Sequence, residues 1–252
     1  MNWQGIFLLA LAGHTVFAVL TNHRREADKS KVVRLAHIVL QGPILWLALY
    51  LGARQGVFSR QLVSPIYIGL GLVTGHAIFA LSLIATQSSP SDIKALLGEK
   101  DSVLYDLASL WDFAVASPVV LMRFIWVGFA EELIWRAAAQ PLAAQFLVER
   151  GVFPATATWA GILIVAIAFS VAHKKVWTDS LSVAVEFVAF AFLLGVLYHW
   201  TGSLILVIII HALRDVELTY LEYLAKVEEL GDEELAAQEI ERAFLPKRPE
   251  QT

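Results

Sequence analysis

A long charge-free stretch near the end of the chain decides its fold: residues 187–212 read Phe187-VAFAFLLGVLYHWTGSLILVIIIH-Ala212. A bilayer core of about 30 Å needs roughly 20 apolar residues per spanning helix. Thr201-Gly202-Ser203 has the composition of a turn, so we divide the stretch between two spans at that point. The apolar residues are continuous and do not alternate with polar ones, which favours helices over strands.

Charge-free runs of similar length occur along the rest of the chain. They predict an all-α polytopic membrane helix bundle of about seven spans, near 3–20, 34–53, 63–86, 112–137, 155–174, 181–199 and 203–221. The fourth of these runs is less regular than the others because it contains Arg123. We assign residues 1–221 to one integral membrane domain. Residues 222–252 form an acidic polar tail, expected to be a solvated helix with a frayed end.

The composition supports the same class and excludes others. Of 252 residues, 58% are hydrophobic and only 17% are charged, against about 45–50% and 25% in soluble domains. The net charge of −4 provides no basic field for nucleic acid, so we expect none as a partner. The chain has no cysteine, which removes disulfides, thiol catalysis and Cys-ligated metals.

The distribution of basic residues predicts the orientation. The loop after the first span is strongly basic. If this loop is placed in the cytoplasm and successive loops alternate between the two sides of the membrane, thirteen Lys and Arg residues lie inside and three lie outside (Arg54, Arg60, Arg150). This pattern predicts an N-terminus outside and a C-terminus inside. No Lys or Arg precedes Arg24, so the first segment is interpreted as a retained span and not as a signal peptide. The compact chain with short loops fits a prokaryotic cytoplasmic membrane.

Ionisable residues inside predicted spans mark the candidate functional site, because each costs several kcal/mol in a bilayer. Glu132 and Arg136 are four residues apart and share one helix face, so we expect them to pair. Glu131 then points about 100° around the helix. In a low-dielectric cavity such a glutamate can serve as a general base. A helix end with both acids in water is the alternative interpretation.

Two further clusters follow Glu131 along the chain. Phe169 and His173 share a helix face, with His173 near a membrane boundary. His211 should lie well inside the membrane, and Asp215, four residues on, could orient its imidazole. Other intramembrane polar residues fit no constellation: Glu186 remains unassigned, and His14, His37, His76 and His199 are interpreted as packing or interfacial residues.

These three clusters, in this order, resemble the CPBP family of intramembrane proteases, also called the ABI or CAAX protease family, which includes Rce1. The family motifs E-E-x-x-x-R, F-x-x-x-H and H-x-x-x-N/D correspond to Glu131-Glu132…Arg136, Phe169…His173 and His211…Asp215. The resemblance covers about residues 111–221, and the first hundred residues match only as apolar spans. Two positions depart from the common pattern: Ala137 stands where glycine is usual, and Asp215 where asparagine is commoner.

The resemblance implies a mechanism. Glu131 would activate a water for attack on a peptide carbonyl, helped by His173. His211 and Asp215 would position the substrate or stabilise the oxyanion, although an ionised Asp215 cannot donate as an amide does. Glu132, Arg136 and Phe169 would support the site. The implied partners are the lipid bilayer and a membrane-associated peptide or protein substrate.

No cofactor is expected. A His₂Glu zinc site from Glu131, His173 and His211 uses the same atoms. It ranks below the metal-free mechanism because no H-E-x-x-H motif supplies paired ligands. One geometric difficulty also remains: with a fourth span at 112–137, Glu131 and His173 fall towards opposite membrane faces.

Two other classes of protein would also bury such residues. A transporter would usually show inverted repeats, whereas the charged intramembrane residues here crowd into the second half of the chain. A non-catalytic peptide-binding, immunity or scaffold protein of the same fold is the stronger alternative.

Overall fold

A computed structural model of the chain describes residues 3–22, 31–58, 64–86, 89–98, 104, 106–173 and 180–244. These residues form helices and no strand, as the sequence predicts. The helices are α1 (Trp3–Asn22), α2 (Lys31–Arg54), α3 (Pro65–Thr86), α4 (Pro90–Gly98), α5 (Leu107–Ala116), α6 (Pro118–Glu132), a π-helical segment (Leu133–Ala139), α7 (Gln140–Val148), α8 (Pro154–Ala172), α9 (Leu181–Thr201), α10 (Leu204–Leu230) and α11 (Glu233–Phe244).

The all-α polytopic membrane architecture is confirmed. Five helices (α1, α2, α3, α8 and α9) are long and apolar enough to cross a membrane, and a bent helix pair gives a sixth candidate. The chain is an integral membrane protein. The total of seven spans and the orientation stay predictions. Nine of the basic residues that contribute to the orientation lie outside the described residues: Arg24, Arg25, Lys29, Arg60, Lys100, Lys174, Lys175, Lys247 and Arg248.

The predicted fourth span, 112–137, has the wrong bounds at both ends. The helix breaks at Ser117 and bends by 94° between α5 and the segment Pro118–Val148. The cause is Pro118, since the residue before a proline is disfavoured in helical conformation; Ser117 has φ −113° and ψ 64°.

At its other end the helix does not stop at 137 but continues to Val148. Pro141 lacks an N–H, and in a regular α-helix its ring would clash with the carbonyl four residues earlier. The preceding turn widens into a π-helix, with Gln140 N–H donating to the carbonyl of Trp135. This widening lets the helix pass the proline.

The turn predicted at Thr201-Gly202-Ser203 is confirmed. Gly202 ends α9 in the left-handed conformation, φ 62°, which glycine adopts without steric cost. The Ser203 hydroxyl then accepts a hydrogen bond from Leu206 N–H at 3.3 Å and caps α10.

The chain divides into two compact units. The first unit consists of Met1–Ile68 and Phe129–Val207. In it α7 packs against α8, α8 packs against α9, and α1 packs against both α2 and α8. Small residues permit the closest approaches: a Cβ added to Gly161 would lie 3.0 Å from the backbone nitrogen of Ala144.

The second unit consists of Gly69–Gly128 and Ile208–Thr252. Its core includes Phe113, Val216, Tyr220 and Ile240, so the tail contributes to the packing through α11. The aromatic ring of Phe244 lies 5.4 Å from that of Phe124. The tail therefore contains the expected helix, but one face of that helix is buried. The assignment of 1–221 and 222–252 as domain and tail stays a prediction.

Candidate active site

Glu131 and His173 meet in the first unit. Glu131 Oε1 lies 3.5 Å from His173 Nε2, and the side chains are 27% and 30% exposed. The separation expected from a span at 112–137 was wrong because that span had the wrong bounds. Glu131 precedes Val148 by 17 residues and His173 follows Pro154 by 19. Residues 131–148 and 154–173 form the two antiparallel arms of a helical hairpin. These arms have nearly equal lengths, so Glu131 and His173 lie at the same depth.

His173 is held by the end of its own helix. It caps α8 in an extended conformation, and its Nδ1 lies 2.7 Å from the carbonyl oxygen of Phe169. A carbonyl oxygen only accepts, so Nδ1 carries the hydrogen and donates it. The other ring nitrogen, Nε2, is thereby turned to Glu131 as the nitrogen that can gain or lose a proton.

Glu132 and Arg136 form the predicted ion pair, with Arg136 Nε 3.1 Å from Glu132 Oε2 and both side chains fully buried. The N–H is not aligned for a hydrogen bond, and Arg136 Nη1 and Nη2 have no hydrogen-bond partner among the described residues. The guanidinium lies over the ring of Phe169 at 5.0 Å. The pair therefore fixes the π-helical segment against α8.

Phe169 lies between the ion pair and the imidazole. Besides the guanidinium, it contacts the His173 ring, with centroids 4.3 Å apart. Phe187 of α9 also contacts the imidazole at 5.2 Å and Phe169 at 5.6 Å. Sequence reasoning missed Phe187, since one more phenylalanine in a spanning helix gives no distinguishing signal. Together the two rings make an apolar wall beside His173.

The second predicted pair, His211 and Asp215, lies on α10 in the second unit. His211 Nε2 is 3.7 Å from Asp215 Oδ2, an ion-pair distance that is too long for a hydrogen bond. His211 is nearly fully buried, as expected for an intramembrane residue, and Asp215 is 23% exposed. The interaction is therefore electrostatic and leaves the carboxylate accessible.

Gly128, one turn before Glu131, permits a close helix contact in the second unit. A Cβ added there would lie 3.2 Å from the carbonyl oxygen of Ile208 and 3.6 Å from the nitrogen of Ala212. The backbones of α6 and α10 therefore approach each other closely at Ile208 and Ala212, and Ala212 directly follows His211 in the sequence.

A further polar pair in the second unit was not predicted. His76 of α3, interpreted from the sequence as a packing or interfacial residue, has its Nδ1 2.7 Å from Glu217 Oε1 of α10. The partners are 141 residues apart, so no local spacing reveals them. The one available signal was Glu217 itself, a carboxylate near an apolar stretch.

In the part of the chain that the structure describes, no group of three or more His, Asp and Glu side chains is arranged to hold a metal ion. The prediction of no cofactor stays a prediction.

Comparison with known families supports the motif assignment. Residues 113–216 match the family described as "Type II CAAX prenyl endopeptidase Rce1-like". Searches of curated proteins and of solved structures find no match. The matched segment contains all three motifs, and it supports a CAAX-type intramembrane protease with a membrane-embedded peptide substrate. The resemblance inferred from the sequence motifs is therefore confirmed: residues 113–216 are similar to the CPBP/CAAX proteases of the Rce1-like type.

Proposed function

We propose that the protein is an intramembrane endopeptidase that hydrolyses a peptide bond near or in the membrane with a water activated by Glu131. The observation that carries this proposal is the partly buried Glu131–His173 pair, 3.5 Å apart in a largely apolar setting. A carboxylate and an imidazole within reach of one water form a general acid–base pair.

The orientation of His173 fits this chemistry. Its Nδ1 hydrogen is engaged by the Phe169 carbonyl, so only Nε2 exchanges protons at the site. Glu131 Oε1 faces the same nitrogen. A proton taken up by Glu131 can therefore be shared with His173.

The reaction proceeds in two steps. Glu131 takes a proton from the water as the water oxygen bonds to the carbonyl carbon of the peptide. The π electron pair of that carbonyl moves onto the carbonyl oxygen. The proton then passes through the Glu131–His173 pair to the leaving nitrogen, and the C–N bond breaks to give an acid and an amine.

For His211 and Asp215 the family resemblance supplies the role. We propose that His211 donates a hydrogen bond to the developing oxyanion or to the substrate, and that Asp215 acts through its electrostatic contact with His211. Glu132, Arg136 and Phe169 hold the Glu131 helix and the imidazole in place.

The decisive experiment compares wild type with Glu131→Gln at matched levels in the native membrane. The termini of membrane and secreted polypeptides are sequenced by mass spectrometry. We expect termini that depend on the wild type, and a loss of their formation rate of about 10²- to 10⁴-fold in the variant, because an amide cannot act as a general base.

Glu149→Gln is the matched control, since Glu149 ends the same continuous helix at an exposed position. It should give the wild-type set of termini. If Glu131→Gln gives that set too, with both proteins folded, a peptide-binding, immunity or scaffold role on the same fold replaces peptide hydrolysis.

We further propose that the reaction uses no metal ion. The purified protein should then keep its cleavage rate after dialysis against EDTA and 1,10-phenanthroline, measured on a peptide found by the terminus experiment. Loss of activity that added Zn²⁺ restores would contradict the metal-free mechanism and favour a metal-bound water.

A further inference from the structure

Three aromatic residues of the first unit gather around an arginine, where α1 begins and α2 ends. Trp46, Tyr50 and Arg54 follow one another at four-residue intervals along α2, so they lie on the same helix face. The rings of Trp46 and Tyr50 are stacked, with centroids 6.0 Å apart and an angle of 8° between their planes. Trp3 of α1 contacts both rings edge to face, at 6.4 Å and 6.1 Å. We call these four residues the Arg54 cluster.

The positive charge of the Arg54 cluster is not neutralised within the described part of the chain. Arg54 is exposed, and no carboxylate of a described residue lies within ion-pair distance of its guanidinium. Arg54 Nη1 donates to the Tyr50 hydroxyl at 3.3 Å, and the guanidinium carbon lies 5.8 Å from the centre of the Tyr50 ring. This contact orients the guanidinium and uses one of its five N–H groups, so the others remain available to an acceptor from outside.

The end of α2 does not require this charge. The last carbonyl groups of a helix can accept hydrogen bonds from a basic side chain or from the backbone that follows. Here the backbone supplies the donors: Gln55 N–H donates to the Leu51 carbonyl at 3.0 Å, and Val57 N–H donates to the Gly52 carbonyl at 3.0 Å. The helix is therefore capped without a side chain, and Arg54 is not needed for this purpose.

The Arg54 cluster lies at the depth of the lipid headgroups. Arg54 is the last residue of one candidate span, and Trp3 is the first residue of another. At 1.5 Å per residue, Tyr50 lies about 6 Å and Trp46 about 12 Å from Arg54 along α2. The headgroup region is roughly 5–7 Å thick on each side of the hydrocarbon core. The row therefore extends from the level of the phosphates to the first part of the acyl chains, where Trp46 is 57% exposed.

Charge and shape together indicate which kind of lipid fits. A guanidinium donates two parallel hydrogen bonds to the oxygens of one phosphate group, and the single negative charge of a phosphodiester neutralises it. The exposed ring of Trp46 then offers an apolar surface to the acyl chain of the same lipid. A zwitterionic headgroup would bring an ammonium group into the field of Arg54, and the positive charge of the site would remain. A phospholipid with a net negative charge meets both conditions.

We propose that the Arg54 cluster binds one anionic phospholipid, whose phosphate accepts hydrogen bonds from Arg54 while its acyl chain packs along Trp46. The site is independent of peptide hydrolysis, so a Glu131→Gln protein should bind the lipid as the wild type does.

The test uses the full-length protein in phosphatidylcholine vesicles that contain a trace of one of two photoactivatable lipids. One is a phosphatidylglycerol and the other a phosphatidylcholine, and both carry the same acyl chains with a diazirine near the ester end. After irradiation, labelled peptides are mapped by mass spectrometry. We expect the phosphatidylglycerol probe to label the peptide that contains residues 46–54 about three- to tenfold more than the phosphatidylcholine probe, the effect of one interfacial arginine on an anionic lipid.

Arg54→Gln should bring the ratio of the two labels on this peptide to about one, and the exposed position makes the variant compatible with the fold. Arg150→Gln is the matched control, because Arg150 is also exposed but its guanidinium lies over the ring of Phe146 at 3.5 Å. It should keep the wild-type ratio. A ratio of one in the wild type, or an equal loss of preference in both variants, overturns the proposal and assigns any preference to general surface charge.

A further arm separates a lipid phosphate from a soluble one. Inorganic phosphate is exchanged for chloride at constant ionic strength, and the labelling is repeated. The ratio should stay unchanged, because a soluble anion lacks the acyl chain that packs along Trp46. If inorganic phosphate removes the preference, the Arg54 cluster is a site for a soluble anion, and the assignment to a lipid is wrong.

Discussion

Glu132 and Arg136 are fully buried, so each charge depends on the other. Removing one partner of such a pair leaves an uncompensated buried charge and costs about 3–5 kcal/mol, whereas replacing both by apolar residues of similar volume is often neutral. We expect Glu132→Leu to lower the unfolding midpoint in detergent strongly, and Glu132→Leu with Arg136→Met to recover most of the loss.

The exposed pair Lys226–Glu229 supplies the control for this prediction. Its nitrogen and oxygen are only 2.6 Å apart, but Glu229 is 64% exposed. Glu229→Gln should leave the unfolding midpoint close to that of the wild type, because solvent screens an exposed pair. A double variant as unstable as Glu132→Leu alone would show that the guanidinium holds the fold by contacts other than the ion pair.

The spacing of residues in the sequence predicted some of the contacts between individual side chains in the site. The four-residue separation of Glu132 and Arg136 predicted their pairing and left Glu131 pointing elsewhere, because helix geometry fixes both relations. It could not identify Phe187 beside His173 or Glu217 beside His76, because contacts between different helices leave no local pattern. The catalytic roles of Glu131, His173, His211 and Asp215 stay predictions.

The hairpin of α7 and α8 positions Glu131 against His173 through close packing at Gly161. A side chain there would press on the backbone of Ala144, which cannot rotate away as a side chain does. Overpacking costs about 1–3 kcal/mol per site, and more where backbone must move. We expect Gly161→Leu to lower both the unfolding midpoint and the cleavage rate.

Gly13→Leu is the matched control, because an added Cβ at Gly13 of α1 meets nothing within 4 Å. It should leave stability and cleavage close to wild type. If Gly161→Leu retains full activity, the α7–α8 contact does not set the distance between Glu131 and His173.

The ends of helices were harder to predict than their existence. Predicted spans at 3–20, 34–53, 63–86, 155–174 and 181–199 each correspond to an observed helix. The two errors in the predicted fourth span, 112–137, both involve proline. Pro118 breaks a run whose neighbouring residues are apolar on both sides, and Pro141 permits a helix to continue beyond the predicted end at 137. Composition alone cannot separate these outcomes, since packing around each proline decides them.

The second unit as a whole depends on its C-terminal helix. Ile240 of α11 is 7% exposed in the core with Phe113, Val216 and Tyr220, whereas Leu235 of the same helix is 50% exposed. We expect Ile240→Asp to destabilise this unit by more than about 3 kcal/mol, because it removes apolar burial and introduces a buried charge. Leu235→Asp should be nearly neutral.

Limited proteolysis of the protein in detergent would measure this difference as the rate of cleavage within residues 204–244. Equal rates for the two variants would show that α11 packs too loosely to support the unit.

At the level of the whole molecule, composition was sufficient for the class but not for the arrangement. The excess of apolar over charged residues required a membrane environment. Each of the two units is built from two separate stretches of chain. The sequence could not predict this division, because it depends on contacts between residues distant in sequence. The acidic composition of the tail likewise concealed its buried face at Ala236 and Ile240.

The near-equal arms of the α7–α8 hairpin also determine where the chain tolerates a change of length. The turn at Glu149–Phe153 contains Gly151 with φ 88°, and residues added there would extend away from both arms. One residue inserted within α8 would instead turn His173 by about 100° and shift it by about 1.5 Å relative to Glu131. The tip of the hairpin can therefore vary in length, whereas the lengths of its arms fix the position of His173 relative to Glu131.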